Sequence, residues 1–291
     1  MPDFYVTKYN GDKELFDPRK LKTNLLKIGT SPDIADLVIG EVAKSVKDGI
    51  TTREIYGLAY SLLKKHQRPV AIRYSLKKAI ADFGPTGFPF EKFVAEMFKA
   101  QGYTVDTDRI IKGKCAEHEV DVIAWNDEKL ILVEAKFHTD YGMKSDLKVA
   151  LYIKARFDDL ADTKIIIGGK ERVMTDGWLV TNTKFSQTAI QYGECQRLNM
   201  VGWNYPYGNN LHNMIEKAEL IPLTALTVIN SAEKKMFLSR GIVLSKNLLD
   251  ETLLRNLGFA DTKIKNIKRE VDDLCMHCRR SSDLPRSDLG K

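Results

Sequence analysis

Phe90, Phe93, Val94, Met97 and Phe98 recur at three- and four-residue spacing, which puts them on one side of an α-helix. Pro89 near the start and Gly102 past the end mark its limits. The period then shortens. EVDVIAW (119–125) and KLILVEAKF (129–137) are apolar at positions of both parities and meet across a polar turn. Strands apolar on both faces are central strands covered by helices. The pattern continues with a helix from about Asp146 to Leu160, strand TKIIIG, strand GWLVTNT, helix SQTAIQYGECQRL and strand MVGWNY. Such alternation predicts an α/β layer.

The flanking segments read differently. FYVTKYNGDKELF holds two β-type runs around Asn10-Gly11, the strongest short hairpin signal. Asp17-Pro18 reads as an N-cap followed by Pro at the first helical position. Helices are expected over Pro32–Lys47, from Thr51-Thr52 to about His66, and near Pro69–Phe83. Past His212 the pattern is helical, with breaks at Arg240-Gly241 and Leu257-Gly258. The expected organisation is residues 1–83, an α/β region over 84–208, a small helical domain over 209–280 and a disordered tail over 281–291.

Composition narrows the class. The chain has 291 residues, 43% hydrophobic and 29% charged, enough for more than one core and too apolar for a disordered polymer. No apolar run reaches the roughly 18 residues of a membrane span, so no membrane partner is expected. The polar start MPDFYVTKYNGDK does not resemble a signal peptide. Four scattered cysteines suit a reducing cytoplasm. A net charge of +6 favours an anionic partner without identifying one.

The chemistry gathers at one end of the 119–137 hairpin. With the loop centred on Asp127-Glu128, facing residues have numbers that sum to 255, so Asp121 is expected opposite Glu134 and Glu119 opposite Lys136. Lys136 shares the Glu134 face. One reading is a set of salt bridges on a solvated face. Against it, the rest of both strands is apolar, and two carboxylates this close repel unless a cation lies between them. A hard divalent cation held by few carboxylates, with a lysine beside an attacking water, suits hydrolysis of a phosphodiester.

Asp121 followed by Glu134-Ala135-Lys136 resembles the PD-(D/E)xK nuclease signature. GFPFEKFVAEMFKAQGYTV, HEVDVIA, VEAK and GWLVTNTKFSQTAIQYGECQRLNMVGW are similar, in that order, to the Mrr-type restriction endonuclease branch, over about Gly87 to Trp203. The resemblance implies an α/β nuclease core, a mixed sheet flanked by helices, with Mg²⁺ held by Asp121 and Glu134. It implies that Lys136 assists the water and that Glu91 of the opening helix completes the site. KGKCAEHEV lacks the Gly-Asp-Gly-Gly run of typical Mrr proteins and looks closer to a His-Glu variant. His118 and Cys115 precede Asp121; His118 reads as a surface-loop histidine, with contact to the site or a phosphate as the alternative.

VTKYNGDKELFDPRKL, GITTREIYGLAYSLL and AIRYSLKKAI resemble an ATP-cone, a mostly helical regulatory domain with a β-hairpin. The matching positions are Val6, Lys8, Gly11, Glu14, Phe16, Lys20 and Thr52, with Lys77 or Lys78 closing the pattern; Tyr9 departs from it. The resemblance implies ATP or dATP as an allosteric ligand at Val6, Lys8, Glu14, Lys20 and Thr52, and regulation through a homo-oligomer. No Walker motif is present. The C-terminal segment is faintly similar to helix-hairpin-helix modules, and Cys275-Met-His-Cys278 lacks a second pair for structural zinc. The expectation is therefore a cytoplasmic, Mg²⁺-dependent DNA endonuclease tuned by adenine nucleotide. The alternatives are a nucleotide-sensing DNA-binding regulator and an enzyme acting on RNA or branched DNA.

Overall fold

The computed structural model of the chain describes residues 4–8, 11–67, 70–71, 74–140 and 142–282. The described parts of Met1–Leu76 and Lys268–Lys291 form one compact unit, and Lys77–Ile267 form another.

The first unit opens with a hairpin of β1 (Tyr5–Thr7) and β2 (Lys13–Leu15), paired so that Val6 faces Glu14. Asn10 of the expected turn and Tyr9 lie outside the described residues; Gly11 takes φ +85°, where a side chain would be strained. The Asp17 carboxylate caps α1 (Pro18–Lys27), with Pro18 at its start as the sequence predicts. Helix α2 covers Pro32–Ser45 and stops two residues before the expected Lys47. Helix α3 (Thr52–His66) starts on a capping box in which Thr51 and Glu54 satisfy each other's backbone N–H. Leu25, Ala35, Val38, Val42, Ala59 and Leu63 fill the core of this unit. Pro69, the expected start of the next helix, lies outside the described residues; the short helix α4 (Leu76–Ala81) belongs, from Lys77 on, to the second unit.

The second unit contains the nuclease-like layer. Helix α5 (Phe88–Ala100) carries the expected stripe, and Phe90, Phe93, Val94, Met97 and Phe98 are all buried. It is followed by β3 (Thr104–Lys112), β4 (Glu117–Trp125) and β5 (Leu130–Lys136). Then come β6 (Lys144–Ser145), α6 (Leu147–Leu160), β7 (Ile165–Ile167) and β8 (Lys170–Arg172). The layer closes with β9 (Asp176–Thr181), β10 (Lys184–Phe185), α7 (Gln187–Cys195) and β11 (Asn199–Val201). The five-stranded sheet has the order β11-β9-β5-β4-β3, parallel from β11 to β5 and antiparallel from β5 to β3. Two expectations need correction. Strand β3 is an added edge strand whose mixed, half-exposed sequence hides its period. TKIIIG does not join the sheet; it forms a separate hairpin with β8.

Both faces of the sheet are covered, which is why β4 and β5 are apolar throughout. Phe98 of α5 meets Trp178 edge-on at 5.4 Å, on the face that carries Val133. On the other face Ala150, Ile153 and Phe157 of α6 pack with Ile123, Leu130, Leu132 and Leu179. Gly177 permits this closeness: a Cβ there would lie 2.5 Å from the Phe157 ring. Asp159 of α6 accepts hydrogen bonds from the Cys115 and Ala116 N–H groups at 2.8 and 3.1 Å and bonds His118 at 2.8 Å. Those bonds, that of His118 foremost, hold the Asp159 carboxyl down to about 2. His118 is thus a strand residue tied to a helix, not a loop residue offered to a phosphate.

The remaining helices are α8 (Leu211–Lys217), α9 (Ser231–Ser239), α10 (Glu251–Asn256) and α11 (Asp261–Ser282). Helix α11 runs two residues into the segment expected to be a disordered tail; residues 283–291 and the side chains of Cys275, His277 and Cys278 lie outside the described residues. Among the described residues no helix is long and apolar enough to cross a membrane.

Phe93 is fully buried and packs on Phe83 at 5.6 Å between ring centres. Phe93→Ala is expected to cost about 3–5 kcal/mol of stability, measured by denaturant unfolding. A loss below about 1 kcal/mol would contradict this account of the core.

Candidate active site

The β4–β5 ladder pairs Val122 with Val133, Ile123 with Leu132, Ala124 with Ile131 and Trp125 with Leu130, so each pair sums to the expected 255. Beyond Val122 the ladder stops. Asp121 does not simply face Glu134; its Oδ2 accepts the Ala135 N–H at 2.7 Å, and the carboxylate so takes the place of a ladder bond. The expected pairing of Glu119 with Lys136 is absent. Lys136 pairs instead with Thr181 of β9, and the Glu119 carbonyl accepts from Arg156.

Arg156 is the residue that the sequence reading missed. It projects from α6, and its Nη1 donates to Glu134 Oε2 at 2.7 Å. One guanidinium therefore ties the helix to the Glu134 carboxylate and to the strand that carries Asp121. Nothing in YIKARFDDL marks it out; only the packing of α6 aims it. A second missed acid is Asp108. It interrupts β3 with φ 59°, a left-handed conformation uncommon outside glycine but tolerated best by Asn and Asp, and it pairs with Lys92 of α5.

Glu91 lies in the first turn of α5. Its Oε1 folds back to 2.8 Å from where a Cβ on Gly87 would stand, so the bare N-cap leaves room for the carboxylate. Phe90 packs on Phe137 at 5.6 Å, which joins the start of this helix to the residue after Lys136. The structure thus brings Glu91, Asp121, Glu134 and Lys136 to one end of the sheet, and Lys136 is exposed there.

The carboxylates disturb one another. Burial, then Asp121, pushes the Glu134 carboxyl up to about 7 against the pull of Arg156 and Lys136. Burial, then Asp121 and Asp108, pushes Glu91 up to about 7. Asp121 is raised as well, chiefly by burial, with the Ala135 N–H opposing. Among the described residues no three carboxylate, imidazole or thiol groups converge as a metal-binding set. Asp121 and Glu134 are a pair of hard oxygen donors in a crowd of acids. That set fits a hard divalent cation, which binds few carboxylates and keeps several waters.

In the first unit, Glu14 bonds Lys8 at 2.8 Å and Lys20 at 3.5 Å, and Val6 is its strand partner. These four expected ligand residues therefore lie together. Thr52 is exposed at the start of α3, and the threonine bridged to the hairpin is its neighbour Thr51, paired with Thr7. A shallow hollow of about 390 Å³ beside them is lined by Asp17, Arg19, Lys20, Thr23 and Asn24.

A mixed sheet covered on both faces, with acids and a lysine at the end of its central hairpin, is consistent with a nuclease core of the α/β class. Residues 85–204 match the family model described as restriction endonuclease, of the Mrr catalytic type, in agreement with the resemblance read from the motifs. Residues 222–275 match a second family, described as AF1548-like, C-terminal, where the sequence had shown only a faint likeness to hairpin modules. An uncharacterized protein of Archaeoglobus fulgidus is 29% identical over 180 residues, covering 61% of this chain and 97% of that protein. The crystal structure of a protein of unknown function, AF1548, is 29% identical and superposes with a TM-score of 0.54, covering 65% of this chain and 98% of that one. The MspJI restriction endonuclease in complex with a 27-mer oligonucleotide is 14% identical with a TM-score of 0.35, over 59% of this chain and 36% of that one. So loose a likeness carries no argument about function.

The raised acids give a pH signature. A Glu carboxyl ordinarily ionises near 4.5, and in the fold Glu91 and Glu134 wait until about 7. The folded state therefore binds more protons between those values, and their contribution to stability is lost as pH rises through that window. In chelator, the melting temperature of Glu134→Gln should fall less between pH 5 and 7.5 than that of the parent. Parallel curves would contradict the assignment.

Proposed function

We propose that the chain is a divalent-cation-dependent endonuclease that hydrolyses DNA phosphodiester bonds. The observation that carries this reading is the clustering of Glu91, Asp121, Glu134 and Lys136 at the end of the covered β4–β5 hairpin. Acids whose pKa values are raised by burial and then by one another, as Glu91 and Glu134 are, gain little for the fold and suit a cation-dependent reaction.

In this reading Asp121 and Glu134 would hold Mg²⁺, and Glu91 is the neighbouring acid that would complete the site. When bound, the ion polarises the phosphate and neutralises charge that builds up in the transition state. The Ala135 N–H keeps Asp121 turned toward β5. Arg156 keeps Glu134 from swinging into solvent. The Lys136 ammonium orients the attacking water and donates hydrogen bonds to the scissile phosphate. Water oxygen bonds to phosphorus and gives up a proton to solvent, the bond from phosphorus to one deoxyribose oxygen breaks, and the departing oxygen takes up a proton from solvent. The positive net charge of the chain favours a polyanionic substrate.

The first unit is assigned an adenine nucleotide, ATP or dATP, as a regulatory ligand. The support is the juxtaposition of Val6, Lys8, Glu14 and Lys20 beside an open hollow. Lysines near a helix start suit phosphates, and Glu14 suits a ribose or base.

The test is plasmid cleavage in Mg²⁺, with chelator as control and with or without ATP and dATP. Lys136→Ala and Asp121→Asn are each expected to lower the rate by on the order of 10²–10³-fold while the thermal transition survives. Lys20→Ala should remove any nucleotide effect and leave cleavage itself intact. Metal-dependent cutting that persists in Lys136→Ala would sink the assignment. DNA binding without cutting would favour a binding regulator instead.

A further inference from the structure

The chain emerging from the end of β5 and the chain emerging from β9 each form a two-residue strand, and these strands pair in parallel. In that register Lys144 lies directly opposite Lys184, and Ser145 opposite Phe185. Both lysines are exposed, whereas Ser145 and Phe185 are buried. Like charges held face to face across strands are destabilising. Their backbone positions are held opposite each other, because the residues next to them are anchored in the interior. The Ser145 hydroxyl bonds a His138 ring nitrogen at 3.1 Å, and its carbonyl accepts the Ser186 N–H at 3.0 Å. Among the described residues neither lysine has an ion-pair partner, although most other lysines near the sheet are paired. A third ammonium adds to the repulsion. Lys77 of α4 lies 5.9 Å over the Trp203 ring, and its pKa falls to about 8 through burial and then through Lys184.

The position of this cluster is informative. Lys136 is the strand partner of Thr181, and Lys184 follows Thr181 by three residues, at most about 10 Å of chain. The Asn182 side chain ties the two emerging segments together, accepting the His138 N–H at 2.8 Å and donating to the His138 carbonyl at 2.7 Å. The lysine pair is therefore built rigidly onto the end of the sheet where the acids and Lys136 gather.

We propose that Lys144 and Lys184 form a clamp for the phosphate backbone of the DNA that enters the nuclease centre, with Lys77 as a supporting cation. The identity of the polyanion rests on the nuclease reading; the clamp rests on the opposed lysines. A strand of phosphates placed across the pair offsets its repulsion, which no ion-pair partner among the described residues does.

The test measures binding of a labelled duplex by fluorescence anisotropy in chelator, over a series of salt concentrations. The proteins are the parent, Lys144→Ala/Lys184→Ala and Lys144→Arg/Lys184→Arg. The alanine pair should bind roughly tenfold more weakly, with the slope of log K against log salt reduced by about 2, and the arginine pair should keep the parental slope. Without DNA, Lys184→Ala should melt at the same temperature as the parent or higher, because a repulsion has been removed. An unchanged slope in the alanine pair, or no binding of the duplex by the parent, overturns the clamp. So does a drop of several degrees in the melting temperature of Lys184→Ala, which would mark a structural lysine. Cutting of plasmid with an unchanged slope leaves the nuclease reading standing and removes the clamp. A reduced slope with no cutting leaves the clamp standing and removes the nuclease reading.

Discussion

The burial of both faces of the β4–β5 hairpin is the constraint on which the rest depends. Val122, Ile123, Ala124, Ile131, Leu132 and Val133 are all sealed from water. A ladder so enclosed admits charge only at its end, where the covering helices stop. Asp121, Glu134 and Lys136 occupy that end, and their placement follows from where the apolar run ceases. Desolvation at this boundary raises the acids, and mutual repulsion raises them further.

The cations around the site divide the labour. Lys92 takes Asp108, Arg156 takes one oxygen of Glu134, and Asp159 draws His118 and the tip of the β3–β4 turn onto α6. Each of these contacts fixes an element, and among the described residues neither Asp121 nor Glu91 has an ion pair of its own. The proposed cation-dependent reaction would use such an arrangement: rigid surroundings and incompletely neutralised donors. The opposed Lys144 and Lys184 carry the reverse sign on neighbouring segments, so acids and ammonium groups lie apart at the same end of the sheet.

The first unit obeys the same logic with less burial. Its helices are held by a small apolar core, while Lys8, Glu14 and Lys20 sit on its rim and compensate one another. Exposed ion pairs of this kind contribute little to stability. Their grouping around the hairpin is what the proposed nucleotide ligand would use.

Much of this was legible in the chain itself. Helical spacing from Phe90 to Phe98, the doubly apolar strands and the hairpin centre determined α5, β4, β5 and their register, because periodicity is a local property that burial imposes on sequence. The Asp121, Glu134 and Lys136 set was readable for the same reason: charge stands out at the end of an apolar run. What needed the tertiary structure was everything decided by distant neighbours. Strand β3 has no clear period, since an edge strand half in solvent places few demands on its residues. TKIIIG looks like a core strand, yet pairs only with β8. Arg156 and Asp108 look ordinary in sequence, and His118 looks free; helix packing across the sheet gives each its partner. The opposition of Lys144 and Lys184 arises only when two segments some 40 residues apart are drawn into register. Local pattern determines which elements form and which face is apolar, whereas electrostatic partners are set by the three-dimensional approach of segments that the sequence keeps apart.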